Sequence, residues 1–164
     1  MILGGLDIDP AAGLLVDTNL LVLFAVGRVN RGRIETFKRT RRYTGADYDL
    51  LVLVLDKFKT LYTVAHVLAE VSNLTDLPGD ERGLARSVLK ETISVLNEAE
   101  MPSKHAAEDQ LFKDLGLVDA AIGAVARTNN CAVLTDDLDM YLLLSRDRVN
   151  ALNFTHLRAY ELGI

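Results

Sequence analysis

Cysteine is nearly missing from this chain: Cys131 stands alone, inside the apolar run CAVLT. A lone cysteine cannot close an internal disulfide, which points to a reducing compartment, and it reads as a small core residue. Proline is scarce, with three residues, and no low-complexity tract is present, which argues against a disordered segment. Long hydrophobic runs are absent as well. The longest, LLVLFAV and LLVLVL, fall far short of the ~20 residues that span a bilayer, so no membrane partner is expected. The opening residues, MILGGLDIDP, have neither a basic flank nor a sustained apolar stretch and do not read as a signal peptide. The expected location is the cytoplasm. There is no internal repeat.

What remains is a globular balance, 49% hydrophobic and 25% charged, on 164 residues. That length suits one domain, residues 1–164, with a real core. The net charge of −5 on its own disfavours a polyanionic partner, but its distribution reverses the reading. Residues 28–42 hold seven basic side chains (Arg28, Arg31, Arg33, Lys38, Arg39, Arg41 and Arg42) and one acid, Glu35. That segment carries +6 and the rest of the chain −11. Such asymmetry is a signature of nucleic-acid contact.

Short apolar runs alternate with amphipathic stretches. GLLVDT (13–18), LYTVA (61–65), CAVLT (131–135) and VNALNF (149–154) read as strands. The spacing predicts helices over 19–29, 33–43, 46–58, 66–74, 81–99, 118–128, 137–145 and 155–163, with a shorter one over 105–114. The second of these, RIETFKRTRRY, makes residues 28–43 a basic helical segment. Strands separated by helices imply a parallel sheet, hence an α/β fold. In such sheets ligands bind outside the carboxyl ends of the strands.

Several acids stand at that edge. Asp17 closes the strand LLV and is the only charge between Pro10 and Arg28. It can cap the following helix, and it can equally face a site. Glu70 lies opposite the stripe Val67, Leu68, Val71 and Leu74, on the same side as His66 and Asn73. That side is either solvated or part of a site one turn past a strand. Asp119 is the only charge in LGLVDAAIGAVA, where an unpaired carboxylate is costly. The first helical turn also favours an anion there, as a cap or as a ligand. Gly123, one turn on, reads as a close-packing position. TDDLDMY follows the strand CAVL, and either Asp136 or Asp137 can cap the next helix while facing the same edge. Thr135 can orient a carboxylate or a water.

Together these acids converge on one sheet edge. Close carboxylates cannot all stay ionised without a cation among them. Oxygen ligands of this kind suit Mg²⁺ or Mn²⁺, which keep waters and bind phosphate. The chemistry that follows is metal-assisted hydrolysis of a phosphate ester.

The segments LLVDTNLLV, VLAEVSNL, LGLVDAAIGAVA and VLTDDLDM, in this order and spacing, resemble the four acidic motifs of the PIN-domain family. The resemblance covers residues 13–158. It implies a three-layer α/β/α sandwich on a parallel sheet, Mg²⁺- or Mn²⁺-dependent cleavage of RNA, and a homodimer. It places Asp17, Glu70, Asp119 and Asp137 as the four catalytic and metal-binding acids. Asn19 and Thr135 match the family's polar helpers, Asp139 follows in the fourth motif, and Met140 replaces an aromatic. VapC-type toxins, each held by a small antitoxin, are well-known members. This chain differs from them in its residues before the first strand and in the long basic region between Arg28 and Phe58.

The basic segment reads as a clamp for an RNA backbone through Arg31, Arg33, Lys38, Arg39, Arg41 and Arg42. The alternative is a solvated face paired to the acidic remainder. Tyr43 and Phe37 can stack on bases, with Phe37 better placed for the core. Three rival functions remain. A haloacid-dehalogenase-like phosphatase wants a second Asp two residues after Asp17, where Asn19 stands. A receiver domain needs a phosphoacceptor Asp that has no counterpart. A PIN fold that binds RNA or protein without cutting would keep the shape and not need the four acids.

Overall fold

A computed structural model describes residues 2–3 and 6–163 of the chain. The reading of MILGGLDIDP as no leader falls partly on Met1, Gly4 and Gly5, outside the described residues. Strands β1 (Ile2–Leu3) and β2 (Leu6–Asp7) form a small antiparallel pair that the sequence pattern does not announce. The main body begins at β3 (Leu14–Val16), whose three residues are all buried. Helix α1 (Thr18–Val29) follows, then α2 (Gly45–Leu55), β4 (Leu61–Thr63), α3 (Ala65–Leu74), α4 (Glu81–Val95) and β5 (Asn97–Glu98). The second half runs through α5 (Ser103–Ala106), α6 (Phe112–Leu115), α7 (Leu117–Asn129), β6 (Ala132–Thr135), α8 (Leu138–Arg146), β7 (Ala151–Asn153) and α9 (Phe154–Leu162).

Five strands form one parallel sheet in the order β5-β4-β3-β6-β7. The central strands β3 and β6 are buried throughout and apolar up to Thr135, because a parallel strand covered on both faces has no solvent side. From β3 the chain steps outward to β4 and β5, and from β6 it steps the other way to β7. Right-handed crossovers therefore put α1 to α4 on one face and α5 to α8 on the other, giving the α/β/α sandwich, while α9, after β7, packs back beside α2. The order reverses between β3 and β6, and a crevice opens at their carboxyl ends.

Two expectations need correction. The edge strand β5 replaces the last turn of the helix expected over 81–99. Its two residues are exposed, so no apolar pattern marks them. The basic helix expected over 33–43 does not form. A 3-10 turn at Arg31–Arg33 leads into successive tight turns. Ile34, Phe37, Thr40 and Tyr43 are buried at a spacing of three, and every residue between them is exposed. An α-helix would drift off that period, since its turn takes 3.6 residues. The Thr40 hydroxyl donates to the Ile34 carbonyl at 2.7 Å and fixes the tighter path. The result is a ribbon, residues 31–43, that shows Lys38, Arg39, Arg41 and Arg42 outward.

The ribbon is tied down at both ends. Asn30 and Arg33 donate to Glu81 at the start of α4, at 2.8 and 2.7 Å. Beyond Tyr43, Thr44 caps α2 in a reciprocal box with Asp47. Asp47 is fully buried and meets Arg158 of α9 at 2.5 Å. On the opposite face, Gly123 allows Leu111 to lie against α7 where a Cβ would collide. Cys131 is a buried core residue. Burial pushes its thiol up to about 11, so it is not a nucleophile at neutral pH.

Candidate active site

Asp17 leaves β3 at the crevice and is almost fully buried. Its carboxylate accepts three hydrogen bonds. Oδ1 takes the Leu20 amide at 2.9 Å, which makes Asp17 the N-cap of α1. Oδ2 takes the Thr135 hydroxyl at 2.5 Å and the Asp136 amide at 3.0 Å. Asp17 thus caps α1 and also lines the cleft. Burial, with repulsion from Asp136 added, pushes its carboxyl up to about 7, against the pull of those three donors.

The turn after β6 separates the two aspartates that the sequence left ambiguous. Asp137 caps α8 by accepting the Met140 amide at 2.9 Å, and it lines the cleft. Asp136 turns away from it. Its side chain is 5% exposed, forms an ion pair with Arg42 at 2.5 Å and accepts the Tyr43 hydroxyl. Asn19, exposed on α1, reaches Asp136 at 3.5 Å. Thr135 links the two strand ends, donating to Asp17 and accepting the Asp137 amide at 3.0 Å.

Across the cleft, Glu70 of α3 accepts the Thr18 hydroxyl at 2.7 Å. Asp119, in the first turn of α7, has no hydrogen bond or ion pair among the described residues. Burial raises its carboxyl to about 6, with repulsion from Asp137 and then Glu70 adding to it. Asp119 is half-buried, because the start of α7 opens onto the cleft. Asp17, Glu70, Asp119 and Asp137 line one cleft of about 330 Å³. Its other wall is apolar, formed by Leu74, Leu115, Leu117, Val118 and Met140. Asp139 is exposed and borders a neighbouring shallow pocket with Asn19, Arg42 and Asp136. His66 does not line the cleft. Its Nε2 lies 2.7 Å from the Ser103 hydroxyl.

A family model for the PIN domain matches residues 14–143. The chain belongs to the PIN-domain family. No curated protein matches the chain. PIN domains are in general nucleases that use divalent metal ions. Among the described residues, no three His, Cys, Asp or Glu side chains are arranged to hold an ion as they stand. The donor set of this PIN domain nevertheless fits a hard cation. All its charged groups are carboxylates, and Asp119 in particular is an uncompensated one facing two others. Mg²⁺ and Mn²⁺ sites commonly use one or two carboxylates and complete the shell with water.

The basic residues of the ribbon in this PIN domain divide into two groups. Arg31 pairs with Asp49 at 2.6 Å, Arg33 with Glu81 at 2.7 Å and Arg42 with Asp136 at 2.5 Å. Lys38, Arg39 and Arg41 have no ion pair among the described residues and are exposed. Tyr43 is 2% exposed and packs edge-on against Phe154, so it offers no face for a base. Burial and the adjacent Asp136 raise its hydroxyl well above the usual tyrosine range, so it stays a donor. Sequence reasoning missed two features. The contact of Thr18 with Glu70 spans 52 positions, and the apolar wall has the same composition as core.

Proposed function

We propose that this protein is a metal-dependent endoribonuclease whose centre is the cleft of Asp17, Glu70, Asp119 and Asp137. The observation that carries the reading is Asp119: a partly buried carboxylate with no hydrogen bond or ion pair among the described residues, beside an apolar wall and facing two more carboxylates. Such a group is costly unless a cation joins it. Asp119, Asp137 and Glu70 would hold Mg²⁺ or Mn²⁺, directly or through water, with Asp17 bordering them. The ion would supply an activated water and a counter-charge to the phosphoryl oxygens.

The chain's own groups do the rest. Three donors fix Asp17 in one rotamer, so its orientation is set before substrate arrives. The Thr18 hydroxyl aims Glu70. The apolar wall limits water and offers contact to the sugar and base of a bound nucleotide. Lys38, Arg39 and Arg41 supply the positive charge that a −11 remainder lacks, and would hold the backbone of the RNA.

The test is cleavage of an end-labelled single-stranded RNA. With Mn²⁺ or Mg²⁺ the purified chain should cut internally, chelator should stop it, and Asp119→Asn should abolish it. Binding without cleavage under all metal conditions would favour the non-catalytic PIN module instead. Phosphate released from small monoesters would favour a phosphatase.

A further inference from the structure

The ribbon ends on the one acid of the β6–α8 turn that the cleft does not use. Asp136 receives Arg42 at 2.5 Å, the Tyr43 hydroxyl, and Asn19 at 3.5 Å. Its own amide, in turn, donates to Asp17 Oδ2 at 3.0 Å. A continuous path therefore runs from an exposed basic ribbon, through one carboxylate and one peptide group, to the buried acid of the cleft. Arg42 lies over the Tyr43 ring, 4.9 Å from its centroid, and that ring is held against Phe154. The brace is thus anchored in the core, while the residue it holds is almost out of water.

We propose that Arg42 and Tyr43 are positioning residues for Asp17, acting through Asp136. The proposal rests on the cleft being the reaction centre. Two nearly buried carboxylates, Asp17 and Asp136, follow adjacent strands and repel one another. Left unbraced, Asp136 would swing toward solvent, and the turn carrying its amide would move with it. Arg42 and Tyr43 hold the carboxylate on the far side, which keeps the amide on Asp17 and leaves Asp137 facing the cleft. Tyr43 separates this role from packing. Its ring fills the core, but its hydroxyl serves the brace, donating to Asp136 and meeting the Arg42 guanidinium. The same geometry withdraws Arg42 from substrate contact, although its neighbours Lys38, Arg39 and Arg41 stay available. The ribbon therefore has two roles, with three cations set to hold RNA and its last two residues set to hold the centre.

The deciding experiment is amide hydrogen exchange by NMR on the full, metal-free chain, with no substrate. Tyr43→Phe and Arg42→Gln should each speed exchange of the Asp136 amide about 10-fold, the scale of one lost hydrogen bond. The Leu20 amide, on the other oxygen of Asp17, should be unchanged. Adding Tyr43→Phe to Asp136→Ala should produce no further change, since the brace then has nothing to hold. In RNA cleavage, both variants should lower kcat about 10-fold with KM unaltered, and Arg42→Lys should recover part of the loss. If Tyr43→Phe does not fold, Arg42→Gln, at an exposed side chain, decides alone. An unchanged Asp136 amide in the folded variants would overturn the proposal. If the wild-type chain cuts no RNA, the nuclease reading fails, and the exchange result still decides the brace.

Discussion

In the cleft, Asp119 has no hydrogen bond or ion pair among the described residues and faces Asp137 and Glu70 beside an apolar wall. In the ribbon, Arg31, Arg33 and Arg42 each meet a carboxylate of the same chain. The two regions carry opposite charge, and they also differ in how much of it the fold neutralises. Charge that the fold pairs becomes structure, as Arg33 does on α4. Charge that the fold leaves unpaired is available to something from outside, a cation at Asp119 or a phosphate at Lys38, Arg39 and Arg41. Counting basic residues therefore overstates the RNA-facing surface. Counting unpaired ones gives a smaller and sharper surface.

The largest expected effect lies in the cleft. Asp119→Asn should reduce RNA cleavage by about 10²–10³-fold, the usual cost of removing one electrostatic contributor from a reaction centre. In chelator at pH 8 the same variant should melt higher, by about 2–4 °C, because an unsupported charge has gone. The pH dependence follows. Asp17 and Asp119 have folded pKa values of about 7 and about 6, above the ordinary 3.8. Between those limits the folded chain holds protons that the unfolded chain releases, so metal-free stability should fall as pH rises from about 4 to about 7. Thermal melts at pH 5 and 8 would check the slope, and Asp119→Asn should flatten its lower part. A melting temperature that rises through this range would break the account of the cleft.

Asp17→Asn should give two opposed effects. An asparagine must turn its amino group toward donors, either Thr135 and Asp136 or Leu20, and leaves at least one of them unmet. That costs about 1–3 kcal/mol and should lower the melting temperature at pH 5, where Asp17 keeps its proton, while at pH 8 relief of the buried charge offsets it. Loss of cleavage in Asp17→Asn is therefore a mixed result, whereas loss in Asp119→Asn reports on chemistry alone.

In the ribbon, replacing Lys38, Arg39 and Arg41 together by alanine should raise KM for RNA. It should also reduce the slope of log affinity against log salt by about 2, near 0.7 for each cation at a phosphate. Binding measured from 50 to 200 mM salt would show it. The smallest effect belongs to the engaged arginines. Arg31→Ala and Arg33→Ala should change RNA affinity by no more than about 2-fold, as expected for charges already paired at the surface. Equal losses in the two groups would erase the distinction between paired and unpaired charge.

Much of this was legible in the sequence, for identifiable reasons. Asp17 and Asp119 stood out because an acid in an apolar run has few places to go, and both lie at the cleft. The strands 14–16 and 132–135 were readable as buried because they carry no polar face. The ribbon was misread because Ile34 and Phe37 fit a helix as well as a three-residue period. Thr40 and Tyr43, buried where a helix would turn them off the Ile34 side, distinguish the two, and the partner of Thr40 is a backbone carbonyl. Asp136 and Asp137 could not be told apart by position. What separates them is Arg42 and Tyr43, more than ninety residues earlier. The apolar wall was illegible in principle, since Leu117 and Val118 differ from core residues only in facing a cleft.

The most direct measurement is the melting temperature of the wild-type chain and Asp119→Asn at pH 8, each in chelator and in saturating Mn²⁺. The expected result is a crossover. In chelator the variant is the more stable. In Mn²⁺ the wild type gains about 2.7 kcal/mol at a hundredfold excess over its dissociation constant, and the variant gains little. Equal shifts in both proteins, or no shift in the wild type, would contradict a cleft whose carboxylates are set to receive a cation.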